Sequence, residues 1–333
     1  MLMAMRAAID EIESRLPQWL EESGTPGASV ALIGGGHVVW ARGFGSKEAT
    51  SSDPVSAATV FEAASLGKPL FAYLVLQLCQ SGKLNLDTPL WHYYEYPDLA
   101  RQPQARALTA RHVLSHTSGL PNWRPSREGL RFLCDPGERF MYSGEAYVYL
   151  QLVAERLTET PLGELMRRSV LLPLKLNASS YVWRDAFEGN VAAGHLADGT
   201  PIEKRRPERA NAAWSLHTTA TDFAAFMTNF FDRDSTRLMR SWLRETFTPQ
   251  AQVEASLSWG LGWGLAGAEG RDSFWHWGSN PGYRCFAAAS RDTATGVVVM
   301  TNHVDGMRVC REVVRVALGR DHPAFEWSKL QEP

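Results

Sequence analysis

Ser65, Leu66, Gly67 and Lys68 put a hydroxyl and an amine three residues apart, and side chains at that spacing share one face of a helix. A serine whose proton can pass to a neighbouring amine is a nucleophile for a carbonyl carbon, provided the amine is uncharged. The segment that follows supplies that condition. Pro69 to Ser81 reads PLFAYLVLQLCQS, almost wholly apolar, and Gly82 closes it, so the pattern predicts a buried helix with a glycine at its C-terminus. Pro69 falls in the first turn, where a missing N–H costs nothing, and this puts Ser65 at or just before the helix N-terminus, a place that favours developing negative charge. Lysine is seldom buried unpaired, so Lys68 at the mouth of such a helix needs a reason. Desolvation that lowers its pKa towards that of a working base is one.

Two further clusters carry groups that fit this chemistry. Tyr142, Ser143 and Gly144 precede a helical pattern, and His276, Trp277 and Gly278 end an apolar strand pattern. Alone, Tyr142 reads as a capping or packing residue and His276, within Phe274-Trp275-His276-Trp277, as a core histidine. Ser65 and Lys68 elsewhere in the chain, and the Asn280-Pro281-Gly282 turn after the strand, make both candidates for one active site. Other patterns fail on context. His112 and His116 have metal-ligand spacing, but Val113 follows His112 where a zinc protease motif has glutamate, and no third ligand is near. Gly262, Gly264 and Gly267 match GxGxxG between strand patterns with no helix behind them, which reads as a hairpin. Cys79, Cys134, Cys285 and Cys310 show no CxxC pairing, so buried free thiols are expected rather than disulfides or a metal site.

The elements that must position these groups lie at both ends of the chain. Ala28 to Ile33 and His37 to Phe44 are β-rich runs joined by Gly34-Gly35-Gly36, a hairpin turn and not a phosphate loop, because a strand follows it. Ser273 to Trp277, Tyr283 to Ser290 and Val297 to Asn302 read as three more strands, and Asp305 to Leu318 as a terminal helix. Ile9, Ile12, Leu16 and Trp19 recur at helical spacing and predict an amphipathic first helix packed on the body despite Pro17. Between the ends, about Lys83 to Pro207 is rich in helical patterns, prolines and arginines, including Gly144 to Thr158 and Pro161 to Val170. The expected architecture is α/β: residues 1–82 and 208–333 form a sheet domain, residues 83–207 a mainly helical insert, and the cleft between them holds the ligand site.

Composition narrows the partner. With 333 residues, 34 basic against 36 acidic and a net charge of −2, the chain has no run of either sign that points to nucleic acid or a membrane surface. The expected partner is a small molecule, with no cofactor. Residues 1–23 carry acids throughout and lack the apolar core of a signal peptide, and no stretch reaches 18 apolar residues, so a cytoplasmic protein is expected.

Taken together, Ser65-Leu66-Gly67-Lys68, Tyr142-Ser143-Gly144 and His276-Trp277-Gly278 resemble, in order and spacing, the three active-site elements of the penicillin-recognising serine hydrolases. The resemblance is to the class C β-lactamase-like group, which includes family VIII esterases, D-aminopeptidases and D-stereospecific amidases. Thr25-Pro26-Gly27-Ala28, Gly82-Lys83-Leu84-Asn85-Leu86-Asp87 and Leu114-Ser115-His116-Thr117-Ser118-Gly119-Leu120-Pro121 recur in place, so it runs from about Thr25 to Gly319. It implies an antiparallel sheet flanked by helices with an inserted helical subdomain. It also implies that Ser65 attacks a carbonyl, that Lys68 and Tyr142 accept and relay the proton, and that the backbone amides of Ser65 and Ser279 hold the oxyanion, Gly278 letting the strand approach the substrate.

The chain departs from the group in two places. Gly144 stands where class C β-lactamases have the asparagine of Tyr-x-Asn, which removes an amide that would hold a β-lactam side chain. His276 stands where they have the lysine of Lys-Thr-Gly, so the local charge is expected to change with pH around 6.5. A His-x-Gly element also occurs among the D-peptidases and esterases of the group. Trp123, Trp183, Trp214, Trp259, Trp263, Trp275 and Trp277 are expected to turn towards the cleft, with Trp277 and Trp123 as substrate-pocket candidates beside Gly278 and Gly144. Esters leave more readily than amides, so carboxylesterase activity is expected first, amide hydrolysis second. β-Lactamase or D-peptidase activity is the alternative, and a slowly deacylating sensor the alternative of another class. An α/β-hydrolase would need a G-x-S-x-G elbow, and Ala63-Ala64-Ser65-Leu66-Gly67 departs from it at the first position.

Overall fold

The structure, a computed structural model, describes residues 2–125, 129–231, 238–267 and 273–331. Helix α1 (Leu2–Ser23) leads into the hairpin of β1 (Gly27–Gly34) and β2 (His37–Gly45), then β3 (Phe61–Ala64) and α2 (Gly67–Gln80). A long excursion carries α3 (Ala110–Leu114), α4 (Gly144–Thr158) and α5 (Leu162–Met166). The chain returns through β4 (Leu216–Thr218), α6 (Ala220–Thr228) and α7 (Arg240–Thr246) into β5 (Ala251–Glu254), β6 (Leu257–Trp259), β7 (Gly264–Ala266), β8 (Ser273–Asn280), β9 (Tyr283–Ser290) and β10 (Thr295–Thr301). Helices α8 (Met307–Leu318) and α9 (Ser328–Gln331) follow.

Eight strands form one antiparallel sheet in the order β2-β1-β10-β9-β8-β7-β6-β5, so the two ends of the chain meet at its middle, with Ala28 opposite Thr301 and Val30 opposite Val299. Strands β1, β9 and β10 are buried on both faces, which is why they read as continuous apolar runs rather than alternating ones. Ala31, Ile33, Cys285, Ala287, Val298 and Met300 face the core that holds α2 and α6. Their neighbours Val30, Leu32, Phe286, Ala288, Val297 and Val299 face a second core holding Ile12 and Leu16 of α1 and Val309 and Val313 of α8. The amphipathic first helix is therefore present, with Ile12, Leu16 and Trp19 buried and Pro17 within it.

Helix α2 lies between the sheet and the insert and is buried from Gly67 to Leu76 without a break, which accounts for its lack of a polar face. The insert is less regular than its helical patterns predict. Pro89, Pro97 and Pro103 each open a single 3-10 turn, where proline's fixed φ is already suitable, and Arg167 to Leu171 winds as a π turn beyond α5. Helix α4, with Ser143 as its cap, is its long regular element.

Beyond α8, which the sequence pattern reads as a terminal helix, the chain packs further residues onto the body. Gly319 turns it with φ +68, and Ala324, Phe325, Trp327 and Leu330 enter the second core. Phe325 lies 4.5 Å from Phe286 between ring centroids, and Trp327 meets Trp277 edge-on at 5.2 Å. Among the described residues no helix is long and apolar enough to cross a membrane. Phe325 is 5% exposed, so Phe325→Ala is expected to cost about 3–5 kcal/mol in urea denaturation. A change within a few tenths would show the last segment to be loosely applied and not part of the core.

Candidate active site

Ser65 occupies the corner between β3 and α2. Ala64 before it has φ +51, a left-handed conformation that side-chain-bearing residues avoid, and it turns the chain abruptly from strand to helix. The turn is tied by Leu66 N–H to the Ala63 carbonyl and Lys68 N–H to the Ser65 carbonyl, each at 3.0 Å. Lys68 is fully buried. Its Nζ lies 2.9 Å from Ser65 Oγ and donates to the Ala213 carbonyl at 2.8 Å. Burial alone holds its pKa well below the ordinary lysine range. Ser65 Oγ itself donates to the same carbonyl at 3.3 Å, and an uncharged amine at this distance would have a lone pair for the serine proton.

The Ala213 carbonyl carries no signal in the sequence, because any residue has one. Its position comes from a braced turn. Ala213 N–H donates to Asn211 Oδ1, Asn211 N–H to Ser215 Oγ, and Ala212 N–H to Gln151 Oε1 on α4.

Tyr142 brings its ring to the same amine, with Lys68 Nζ 4.8 Å from the ring centroid. Its neighbours are His116 at 4.1 Å and Trp277 at 4.6 Å between centroids. The phenol oxygen is buried and makes no well-formed hydrogen bond. Burial raises its pKa and the nearby Ser65 hydroxyl opposes this only in part, so the resting group is a neutral phenol. His116 Nδ1 accepts from Ser143 N–H at 3.1 Å, which leaves the proton on Nε2. Burial, the main cause, holds the pKa of this ring well below the ordinary histidine value.

His276 joins the group, 6.3 Å from Tyr142 between centroids, but not as a pH-dependent cation. Its Nδ1 lies 2.8 Å from the Trp277 carbonyl, which can only accept, so Nδ1 carries the proton and Nε2 is an unpartnered acceptor. Burial, the main cause, pushes its pKa down to about 3. The expectation of a charge change near neutrality is overturned because it took the solvated value for a ring that is fully buried.

Strand β8 pairs with β9 along its length but with β7 only through Ser273, Phe274 and Trp275, so its other edge from His276 to Asn280 is uncovered by β7. The exposed Ser279 lies on this stretch. Gly278 also has a role within the fold. A Cβ there would drive into the Ala63 carbonyl oxygen, so the glycine allows the contact of β8 with β3. Trp277, 6% exposed, is packed against Tyr142, His276, Trp259 and Trp327 and forms the wall behind the tyrosine more than an open pocket.

At Gly144 a side chain would meet the Trp123 ring at 2.7 Å and the Asn122 carbonyl at 3.0 Å. Trp123, 46% exposed, therefore lies over the start of α4. Most of the other tryptophans do not reach the cleft. Trp259, Trp263 and Trp275 are core residues, and Trp183 packs on Phe187 and His217. Trp214 follows Ala213 and lies under the Arg205 guanidinium. His112 accepts from Thr109 N–H within the cap of α3, whereas His116 lies beyond that helix with φ +55, so the two do not form a ligand pair. The four cysteines are free thiols, with Cys79, Cys285 and Cys310 buried and Cys134 half-buried. A cavity of about 1070 Å³ lies elsewhere, between α4, α5 and the 176–184 segment, and none of Ser65, Lys68, Tyr142 and His276 lines it.

The beta-lactamase family model matches residues 9–319 of this chain. Penicillin-binding protein 4 of Amycolatopsis lactamdurans is 26% identical over 320 residues, which cover 84% of this chain and 82% of that one. Protein flp of Staphylococcus aureus is 24% identical over 215 residues, 60% of this chain and 43% of the other, so the match spans less than half of that relative. Among solved structures, the octameric penicillin-binding protein homologue from Pyrococcus abyssi superposes with a TM-score of 0.83 at 23% identity, covering 94% of this chain and 78% of that one. That is a likeness of fold.

The lowered pKa of Lys68 has a measurable consequence for stability. Between that pKa and the ordinary lysine value of about 10.4, the unfolded chain binds a proton that the folded one does not, so stability rises with pH across this window. Relative to Lys68→Met, the wild type is expected to gain on the order of 1 kcal/mol for each pH unit within the window, read by urea denaturation at pH 7 and 9. A gap that stays constant or moves the other way would show that Lys68 is charged in the fold.

Proposed function

The chain belongs to the beta-lactamase family, and from that membership we propose that it is a serine hydrolase that cleaves small carboxylic esters through an acyl-enzyme, with amides as slower substrates. The observation that carries this reading is Lys68, fully buried with Nζ 2.9 Å from Ser65 Oγ. Ser65 Oγ attacks the ester carbonyl while its proton passes to the Lys68 lone pair. The carbonyl π electrons move to oxygen, and the amides of Ser65 and Ser279 receive that oxyanion. Collapse expels the alkoxide, which takes a proton relayed from Lys68 through the Tyr142 phenol. Water then attacks the acyl-Ser65 ester, giving a proton to the same relay, and the acid leaves with the serine restored.

A neutral phenol and a neutral amine suit an ester. Its leaving oxygen needs little acid assistance, whereas an amine leaving group must be protonated first. The Trp123 ring over Gly144 supports esters over β-lactams, since it lies where a longer residue at 144 would extend a side chain.

Hydrolysis of p-nitrophenyl hexanoate and of a chromogenic cephalosporin, with intact mass taken after each reaction, tests the reading. Wild type is expected to turn over the ester, and Ser65→Ala to retain less than about 1% of kcat/KM. Ester turnover that persists in Ser65→Ala removes the nucleophile assignment. Cephalosporin turnover at rates comparable to the ester would favour a β-lactamase instead, and a lasting mass adduct without turnover a sensor.

Tyr142→Phe is expected to lower kcat by about 100-fold with KM little changed, because the phenol oxygen acts on the proton and not on ground-state binding. In wild type, kcat/KM should fall as pH drops through the lowered pKa of Lys68, with no ionisation from His276 between pH 5 and 9, since its pKa lies at about 3. Near-native rates in Tyr142→Phe would exclude it from the relay.

A further inference from the structure

The groups that surround Ser65 are all held neutral, yet one cation reaches the site from the last segment of the chain. Lys329, half-buried in α9, places its Nζ 5.8 Å from the centroid of the Tyr142 ring, the same ring that Lys68 approaches from within. Trp327, two residues earlier, fixes this segment by packing on Trp277, Trp275 and Phe140, and Leu330 is buried behind it. Lys329 forms no ion pair among the described residues.

Other cations near the site are neutralised. Arg205, whose guanidinium lies over Trp214, donates from Nε to the buried Glu62 carboxylate at 3.0 Å. Arg124, next to Trp123, bonds Glu145 Oε2 at 2.8 Å and also Asp98. An ammonium that pairs with no carboxylate among the described residues, beside a wall of aromatic rings, suits an anion brought by the substrate.

We propose that Lys329 binds a carboxylate carried by the substrate, so that the preferred esters are half-esters of dicarboxylic acids or comparably anionic esters. The inference deepens the serine hydrolase reading and rests on it. The anionic group lies on the Tyr142 side of the scissile bond, and its charge is matched by the last segment and not by strand β8, whose His276 is neutral. Neutral esters of the same length lack that contact.

The test compares the mono-p-nitrophenyl ester of adipic acid with p-nitrophenyl hexanoate, a neutral ester of equal chain length, on the full chain. Wild type is expected to favour the half-ester in kcat/KM. Lys329→Met should lower the half-ester to hexanoate ratio by roughly tenfold, through KM, and Lys329→Arg should restore most of it. A ratio unmoved by Lys329→Met, or lowered equally by Lys329→Arg, overturns the proposal.

Binding separates this outcome from failure of the esterase reading. Tryptophan fluorescence, reporting from Trp277 and Trp327, follows titration with hexanoate and with hexanamide. Wild type should bind the carboxylate about tenfold more tightly than the amide and Lys329→Met should not. If neither ester turns over but this preference holds, the esterase reading fails and the anion site stands. If the preference is absent in wild type or persists in Lys329→Met, the anion site is wrong whatever the turnover.

Discussion

An amine removed from water with no carboxylate to pair with it is the constraint from which the rest of this structure follows. Charged, it would be costly to bury, so the fold has to keep Lys68 neutral, and it does so by surrounding it rather than by opposing it with charge. Helix α2 is apolar on all sides, Tyr142 and Tyr147 bring ring faces to within 4.8 and 5.5 Å of Nζ, and the Ala213 carbonyl takes one of its protons. The histidines nearby are drawn into the same condition. His116 and His276 are buried, and the charge Lys68 would carry further opposes theirs. The result is an interior of lone pairs and O–H groups around Ser65, suited to moving a proton.

Holding that amine requires contributions from separated parts of the chain. Residue 65 comes from the turn after β3, 142 from the cap region of α4, 213 from the return to the sheet, and 276 from the middle of β8. Gly278 lets β8 close on β3 at Ala63, so the strand that carries His276 and the turn that carries Ser65 are in register because one side chain is missing. The aromatic rings from Trp327 through Trp277 to Tyr142 do for the other wall what β3 does for this one.

Much of this was legible in residue types. Spacing and an apolar context identified Ser65 with Lys68, and the glycine and turn residues around Tyr142 and His276 marked them out, because nucleophile, base and ring nitrogen all belong to particular side chains. The strands at the two ends were equally readable, since burial on both faces leaves unbroken runs of Val, Ile and Ala. What escaped was of two kinds. The Ala213 carbonyl is a backbone group, and its brace by Gln151, Asn211 and Ser215 joins residues far apart in sequence, so no local pattern announces it. The charge of His276 and the destinations of the tryptophans depend on burial, which a strand pattern does not grade. Trp259, Trp263 and Trp275 were therefore expected at the cleft and are core, and Phe325 and Trp327, which drew no comment in the sequence, are packed.

Strand β1 has one neighbour made at once, β2, and another, β10, that is some 270 residues away in sequence, with Ala28 opposite Thr301. Pairings of that separation are slow to form, because the loop between them must close before any contact offsets the lost chain entropy. During synthesis the N-terminal hairpin therefore waits, half its hydrogen bonds unmade, until nearly the whole chain has left the ribosome, and the serine with its buried amine is assembled only afterwards. The order of assembly is thus written into the sheet: the corner that holds Ser65 and Lys68 is completed late, when β1 and β10 have found each other.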